Sequence, residues 1–139
     1  MSSNLFAYGT LMCPDIMQMV AGELLVPVSA VLSGYARYSI VNEDYPGLMP
    51  GLESEVQGQL YLNLSGRAWS RLDAFEGEMY ERRSVRVILD SHDILEAQTY
   101  VIRPRYYDCL SEDAWSFEHF LQHTKHKFLR QYAGFELIR

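Results

Sequence analysis

The sequence predicts an α+β fold, with strands paired largely antiparallel and helices inserted between them or appended after them. Three patterns carry that prediction. Apolar and polar residues alternate strictly over 56–64, as in a half-buried strand, and the runs 83–89 and 95–102 flank the polar turn Asp90-Ser91-His92-Asp93 in hairpin fashion. Apolar residues then recur at three- and four-residue steps from about Asp113 to Tyr132, the spacing of an amphipathic helix.

Taken in order, residues 4–8 read as a short buried strand that breaks at Gly9, and Pro14 opens a short helix carrying Ile16, Met17, Met19 and Val20. Residues 24–32 are apolar and valine-rich, with Pro27 marking an edge or an irregular entry. Gly34 separates them from another strand at 35–41. Residues 44–51, reading DYPGLMPG, hold two prolines and two glycines in eight positions, which predicts a loop. In the alternating strand, Val56, Gly58, Leu60, Leu62 and Leu64 share one face, and Glu55, Gln57, Gln59 and Asn63 the other. Ser65 then caps a helix that presents Trp69, Leu72 and Phe75 on one side, and Gly77 ends it in the left-handed conformation. The last helix carries Phe117, Phe120, Leu121, Thr124, Phe128 and Tyr132.

At 139 residues the chain is expected to form one domain spanning 1–139, a compact monomer or homodimer. Its 48 % hydrophobic and 22 % charged residues lie in the ordinary globular range. The net charge of −6, with 12 Lys and Arg spread along the chain, supplies no basic stripe, so nucleic acid is not an expected partner. Without such clusters the ten tyrosines read as rings packed around a core. Cys13 and Cys109 have no ligand spacing, which indicates neither a disulfide framework nor a zinc site. The first residues lack the charged start and apolar run of a leader, and no apolar stretch approaches the ~20 residues that cross a bilayer, so no membrane partner and a cytoplasmic location are expected.

Two places in the sequence could carry chemistry. Glu76 falls in the last turn of its helix, where the negative end of the helix dipole disfavours the carboxylate and burial would do the same, poising it as a proton shuttle. Tyr8, Gly9, Thr10 and Leu11 follow the first strand in a turn whose unpaired N–H groups could converge on an anion or oxyanion. His119, His123 and His126 share a helical stripe, but it is centred opposite the apolar face and carries no carboxylate, so it reads as solvated. Cys13 follows the glycine turn near a helix start, yet no histidine stands near it in sequence. GxSxG, GxGxxG, P-loop and HExxH patterns do not occur.

Six segments in order, FAYGTLMCP at 6–14, SGYARYSIV at 33–41, YPGLMPG at 45–51, VQGQLY at 56–61, LDAFEGEMYERRSV at 72–85 and AQTYV at 97–101, resemble the γ-glutamylcyclotransferase-like family, and most closely its short γ-glutamylamine cyclotransferase branch. The resemblance implies a small mixed, mostly antiparallel barrel-like sheet with flanking helices. It also implies that Tyr8, Gly9, Thr10 and Leu11 bind the substrate, with Thr10 keeping the hydroxyl of the family's usual serine. Glu76 would be the catalytic acid/base, and Tyr80 would line the site. The implied reaction converts a γ-glutamyl amide to 5-oxoproline and a free amine with no metal or cofactor. Two alternatives stay open on the same residues: a non-catalytic small-molecule-binding or regulatory protein, and a related amide-cleaving or acyl-transfer enzyme using the same Glu. Tyr45, Arg103, Tyr106 and Tyr107 are the expected walls on the leaving-amine side.

Overall fold

A computed structural model describes residues 3–137, with side chains through residue 131. The strands are β1 (Leu5–Ala7), β2 (Val28–Ile40), β3 (Pro46–Tyr61), β4 (Tyr80–Leu89), β5 (Ile94–Ile102) and β6 (Leu110–Ala114). The helices are α1 (Pro14–Ala21), α2 (Gly66–Glu76) and a C-terminal run formed by α3 (Phe117–His119), a π-helical turn (Phe120–Thr124) and α4 (Lys125–Leu137). Five strands close on themselves in the order β3-β1-β5-β4-β2 and back to β3, and β6 adds to the far end of β2. All pairings are antiparallel except β1 with β5, where Leu5 stands opposite Gln98. The α+β, mostly antiparallel barrel-like architecture is therefore present.

Alternation along the strands makes two cores. Phe6, Leu32, Val56, Leu60, Val87 and Val101 fill the barrel, while Leu5, Tyr61, Tyr100 and Ile102 point outward, where α1, α2 and the C-terminal helix cover them. Gly58 lets β1 lie close on β3: a Cβ there would stand 2.4 Å from Ala7 O and 2.7 Å from Phe6 Cζ. Inside the barrel, the Thr99 hydroxyl donates to Phe6 O at 2.9 Å, which satisfies a buried polar side chain.

Several boundaries differ from the sequence reading. Residues 46–51 are not a loop but the first part of β3, running antiparallel to β2 from Ser39 opposite Pro46 to Tyr35 opposite Pro50. The recorded pairings of this part are with β2 alone, and an edge tolerates proline because no second ladder needs its N–H. Leu48 is fully buried and anchors it, and Gly47 sits where a Cβ would come within 2.7 Å of Leu110 Cδ2. Gly34 does not end a strand: at φ 85° it makes a bulge, the β2–β3 register shifts between Ser33 and Tyr35, and β2 continues. β2 starts at Val28, just past Pro27, leaving Leu24 and Val26 exposed.

The Ser65 side chain accepts from Ala68 N at 3.1 Å, as its capping position predicts, and Gly77 N donates to Asp73 O at 3.0 Å. Gly77 has the expected positive φ of 73°, but its ψ of −161° lies outside the left-handed helical region, in a conformation reserved for glycine. The C-terminal helix begins at Phe117 rather than Asp113, because residues 110–114 are taken by β6 and Ser116 caps the helix, its Oγ accepting from His119 N at 3.1 Å. The π turn adds a residue to the helical repeat. It leaves Leu121 exposed and brings Phe128 onto the core, 5.8 Å from Phe120 and 6.3 Å from Phe75 between ring centres. The Tyr132 side chain, and residues 1–2 and 138–139 of the expected single domain, lie outside the described residues. Among those residues no helix is long and apolar enough to cross a membrane.

Candidate active site

Where β1 ends, a cavity of about 200 Å³ opens between the end of α2 and the start of β4. All six residues singled out in the sequence, Tyr8, Gly9, Thr10, Leu11, Glu76 and Tyr80, line it. Caps at both ends of α2 place Glu76 there, since Ser65 fixes where the helix starts and Gly77 where it stops. The first strand delivers the other side. After Ala7 the chain turns through a single 3-10 turn, with Met12 N donating to Gly9 O at 3.0 Å and Cys13 N to Thr10 O at 3.2 Å.

That turn is tied from behind. The Arg37 guanidinium donates to Tyr8 O at 2.8 Å and Gln57 O at 3.3 Å, and lies 5.3 Å from the Trp115 ring centre. The Tyr61 hydroxyl donates to Leu11 O at 2.7 Å. With these carbonyls engaged, the N–H groups of Thr10 and Leu11 remain as the first donors of a helical turn, which have no partner inside it. Gly9 is required because Pro46 packs on it: a Cβ would stand 2.8 Å from Pro46 Cδ.

Tyrosines form much of the wall, and their hydroxyls are occupied. Tyr8 donates to Tyr100 O at 2.6 Å, Tyr80 to Pro46 O at 2.8 Å, Tyr100 to Asp73 Oδ1 at 2.6 Å, and Tyr45 to the Glu43 side chain. Burial, reinforced by the Glu76 charge, holds the Tyr8 phenol well above its ordinary range, and burial with the nearby acids pushes Tyr45 up to about 12. These phenols are neutral donors at physiological pH.

Glu76 is half-buried, and no hydrogen bond or ion pair engages its carboxyl among the described residues. Burial pushes it up to about 8, and the negative Asp73 one turn earlier on α2 adds to the rise. Arg82 does not neutralise Glu76. Its guanidinium pairs with Asp73 at 3.6 Å and lies 4.5 Å from the Trp69 ring centre. The result is a carboxyl poised near neutrality in an otherwise uncharged hollow, able to give or take a proton.

Of the expected leaving-amine walls, only Tyr45 lines this cavity. Arg103 belongs to a neighbouring hollow with Asp73, Arg82 and Tyr100, and is held there by Glu78 O at 2.9 Å and Glu81 at 3.3 Å. Tyr106 and Tyr107 pack against the outer core from the 3-10 segment Pro104–Cys109. Pro46, Phe75, Met79, Tyr100 and Phe128 also line the cavity and were not singled out as site residues. Phe75 and Phe128 were legible only as core-facing helix positions, because periodicity does not show where a core is hollow.

Cys13 is buried, and burial pushes its thiol up to about 11 against the opposing effect of Lys125, so it is not a thiolate. Both cysteines are free. His119, His123 and His126 are exposed, with the first two rings 4.7 Å apart, and no group of three His, Cys, Asp or Glu side chains among the described residues is arranged to hold a metal ion.

Known proteins share the sequence pattern and the fold. The chain is 32 % identical over 127 residues to AIG2-like protein C of Arabidopsis thaliana, covering 91 % of this chain and 73 % of that protein. It is 30 % identical over 131 residues to AIG2-like protein A of the same plant, covering 93 % and 78 %. An Arabidopsis thaliana protein solved in solution superposes with a TM-score of 0.70 at 28 % identity, over 93 % of this chain and 87 % of its own. A solved γ-glutamyl cyclotransferase shares the fold, with a TM-score of 0.64 at 16 % identity over 74 % and 68 % of the two chains. Residues 5–117 match the family described as gamma-glutamyl cyclotransferase, AIG2-like, and the chain belongs to that family.

Proposed function

We propose that the protein is a cyclotransferase that converts a γ-glutamyl amide to 5-oxoproline and releases an amine. The supporting observation is a lone, proton-poised Glu76 facing the 8–11 turn across one small cavity. In this reading the substrate's α-nitrogen attacks its own γ-carbonyl carbon, and the C–N bond to the departing amine breaks. The nucleophile is already tethered, so the site's main task is to hold the reactive conformer. The carboxylate of Glu76 takes a proton from the α-ammonium and delivers it to the departing nitrogen. It then relays the second proton, lost as the lactam N–H forms, to the released amine, which leaves as its ammonium with the carboxylate as it began. In the same reading the Thr10 and Leu11 N–H groups receive the substrate carboxylate or the developing oxyanion.

The reactive complex holds one proton between Glu76 and the substrate amine, so at low pH, where both are protonated, the site has one proton too many. The expected kcat/KM therefore rises with pH along a limb near the Glu76 value of about 8, far above the 4.5 of an ordinary Glu. Asp73→Asn keeps an acceptor for Tyr100 while removing the charge, and is expected to move that limb to lower pH. A limb near 4.5 in the wild type would mean that burial does not raise Glu76, and a limb near 8 that is unmoved in Asp73→Asn would assign it to another group. The reaction itself is tested by incubating a panel of γ-glutamyl amides with the protein and identifying products by mass spectrometry. Binding without 5-oxoproline from any member overturns the cyclotransferase reading, and a linear glutamate product would point to hydrolysis instead.

A further inference from the structure

The cavity specifies more than its reaction. Among the described residues Glu76 is the only charged side chain that lines it. The hydroxyls of Tyr8, Tyr45, Tyr80 and Tyr100 are turned to protein acceptors, so these residues offer the cavity mainly ring surface. The remaining polar groups are Glu76 and the turn at 9–11, and a γ-glutamyl group has an ammonium and a carboxylate to engage both. What is left for the departing amine is apolar wall, chiefly Phe75, Met79 and Phe128.

Three arginines near the cavity are committed elsewhere among the described residues. Arg37 is bound behind the turn and packs on Trp115, Arg82 is paired with Asp73 over Trp69, and Arg103 is held by Glu78 and Glu81. The acids nearest the wall are partnered as well, Asp73 by Arg82 and Asp44 by Lys127 at 3.7 Å, so among the described residues the cavity offers a second charged group no partner of either sign except Glu76. A second carboxylate on the substrate would enter this hollow without a counter-ion, and an unpaired charge in a poorly solvated site is strongly disfavoured. Resting on the cyclotransferase reading, we infer that the amine released here is apolar and carries no carboxylate, as an arylalkyl or alkyl amine does.

Three substrates test this with the full chain: the γ-glutamyl amides of benzylamine, glycine and 1,4-diaminobutane, each assayed for 5-oxoproline. The benzylamide is expected to exceed the glycine amide in kcat/KM by about 10²-fold or more, the scale on which a site rejects a group it leaves unpaired. It is expected to exceed the diaminobutane amide, whose far end is cationic, by about tenfold. Met79→Arg places a cation at the wall and is expected to raise the glycine-to-benzyl ratio about tenfold or more. A wild type that turns over the glycine or diaminobutane amide as well as the benzylamide overturns the inference while leaving the cyclisation standing, and so does an unchanged ratio in a folded Met79→Arg variant. If none of the three yields 5-oxoproline, the cyclotransferase reading fails and this inference fails with it.

Discussion

Glu76→Gln is expected to lower kcat for 5-oxoproline release by about 10²–10⁴-fold, the range that a positioned general acid/base contributes. Glutamine keeps the size of the side chain and its place at the end of α2, so the cavity and substrate affinity should persist while proton exchange is lost. A calorimetric Kd within a few-fold of wild type, together with an unchanged circular dichroism spectrum, would separate this from misfolding. Cyclisation within tenfold of wild type would sink the assignment. The same variant carries a signature in stability. Because the folded-state pKa of Glu76 is raised from 4.5 to about 8, the native protein holds a proton there that the unfolded chain has given up over that interval. Stabilisation from this site is complete below 4.5 and lost as pH rises through about 8, so the glutamine variant should gain on the wild type in thermal melts as pH increases across that window.

Gly58→Ala is expected to destabilise the fold by about 3 kcal/mol, at the upper end of ordinary overpacking. One methyl group is a small addition, but here it would lie 2.4 Å from Ala7 O, a main-chain atom of β1 that no rotamer change can move. Phe6 Cζ at 2.7 Å closes the other direction of relief. Separating β1 from β3 would also displace the turn at 8–11, so turnover should fall with stability. A melting temperature lower by about 10 °C is the expected reading for a chain of this size. A decrease under about 3 °C would mean that β1 does not depend on this close approach.

The ends of α2 were legible because Ser65 and Gly77 carry the chemistry of helix termini, and that is why Glu76 could be placed in a last turn from sequence. Its meeting with Tyr8, Gly9, Thr10, Leu11 and Tyr80 was not contained in any spacing. Those residues come from the turn after β1 and from the start of β4, and only the resemblance across six segments linked them to Glu76. Elsewhere local composition misled. Proline and glycine in 46–51 punctuate structure when a chain is free, but pairing with β2 and the burial of Leu48 outweigh that tendency at an edge. Gly34 signalled an interruption correctly and its scale wrongly, since a bulge and a strand end look alike in sequence. The π turn was invisible to a fixed helical period, which is why Leu121 was assigned inward. Arg37 and Tyr61, which hold the turn at 8–11 from behind, carried no signal, because each acts on a main-chain carbonyl distant in sequence.

The shortest strand closes the barrel. Leu5 pairs with Tyr61 on one side and Gln98 on the other, so β1 cannot settle until both neighbours exist. During synthesis β1 must therefore wait for β5, made much later, before the cavity beside the 8–11 turn has a floor. Such distant pairings slow folding and leave apolar surface uncovered meanwhile. Truncated products ending before β5 would consequently be inactive and prone to aggregate, even though they contain Glu76 and the entire 8–11 turn.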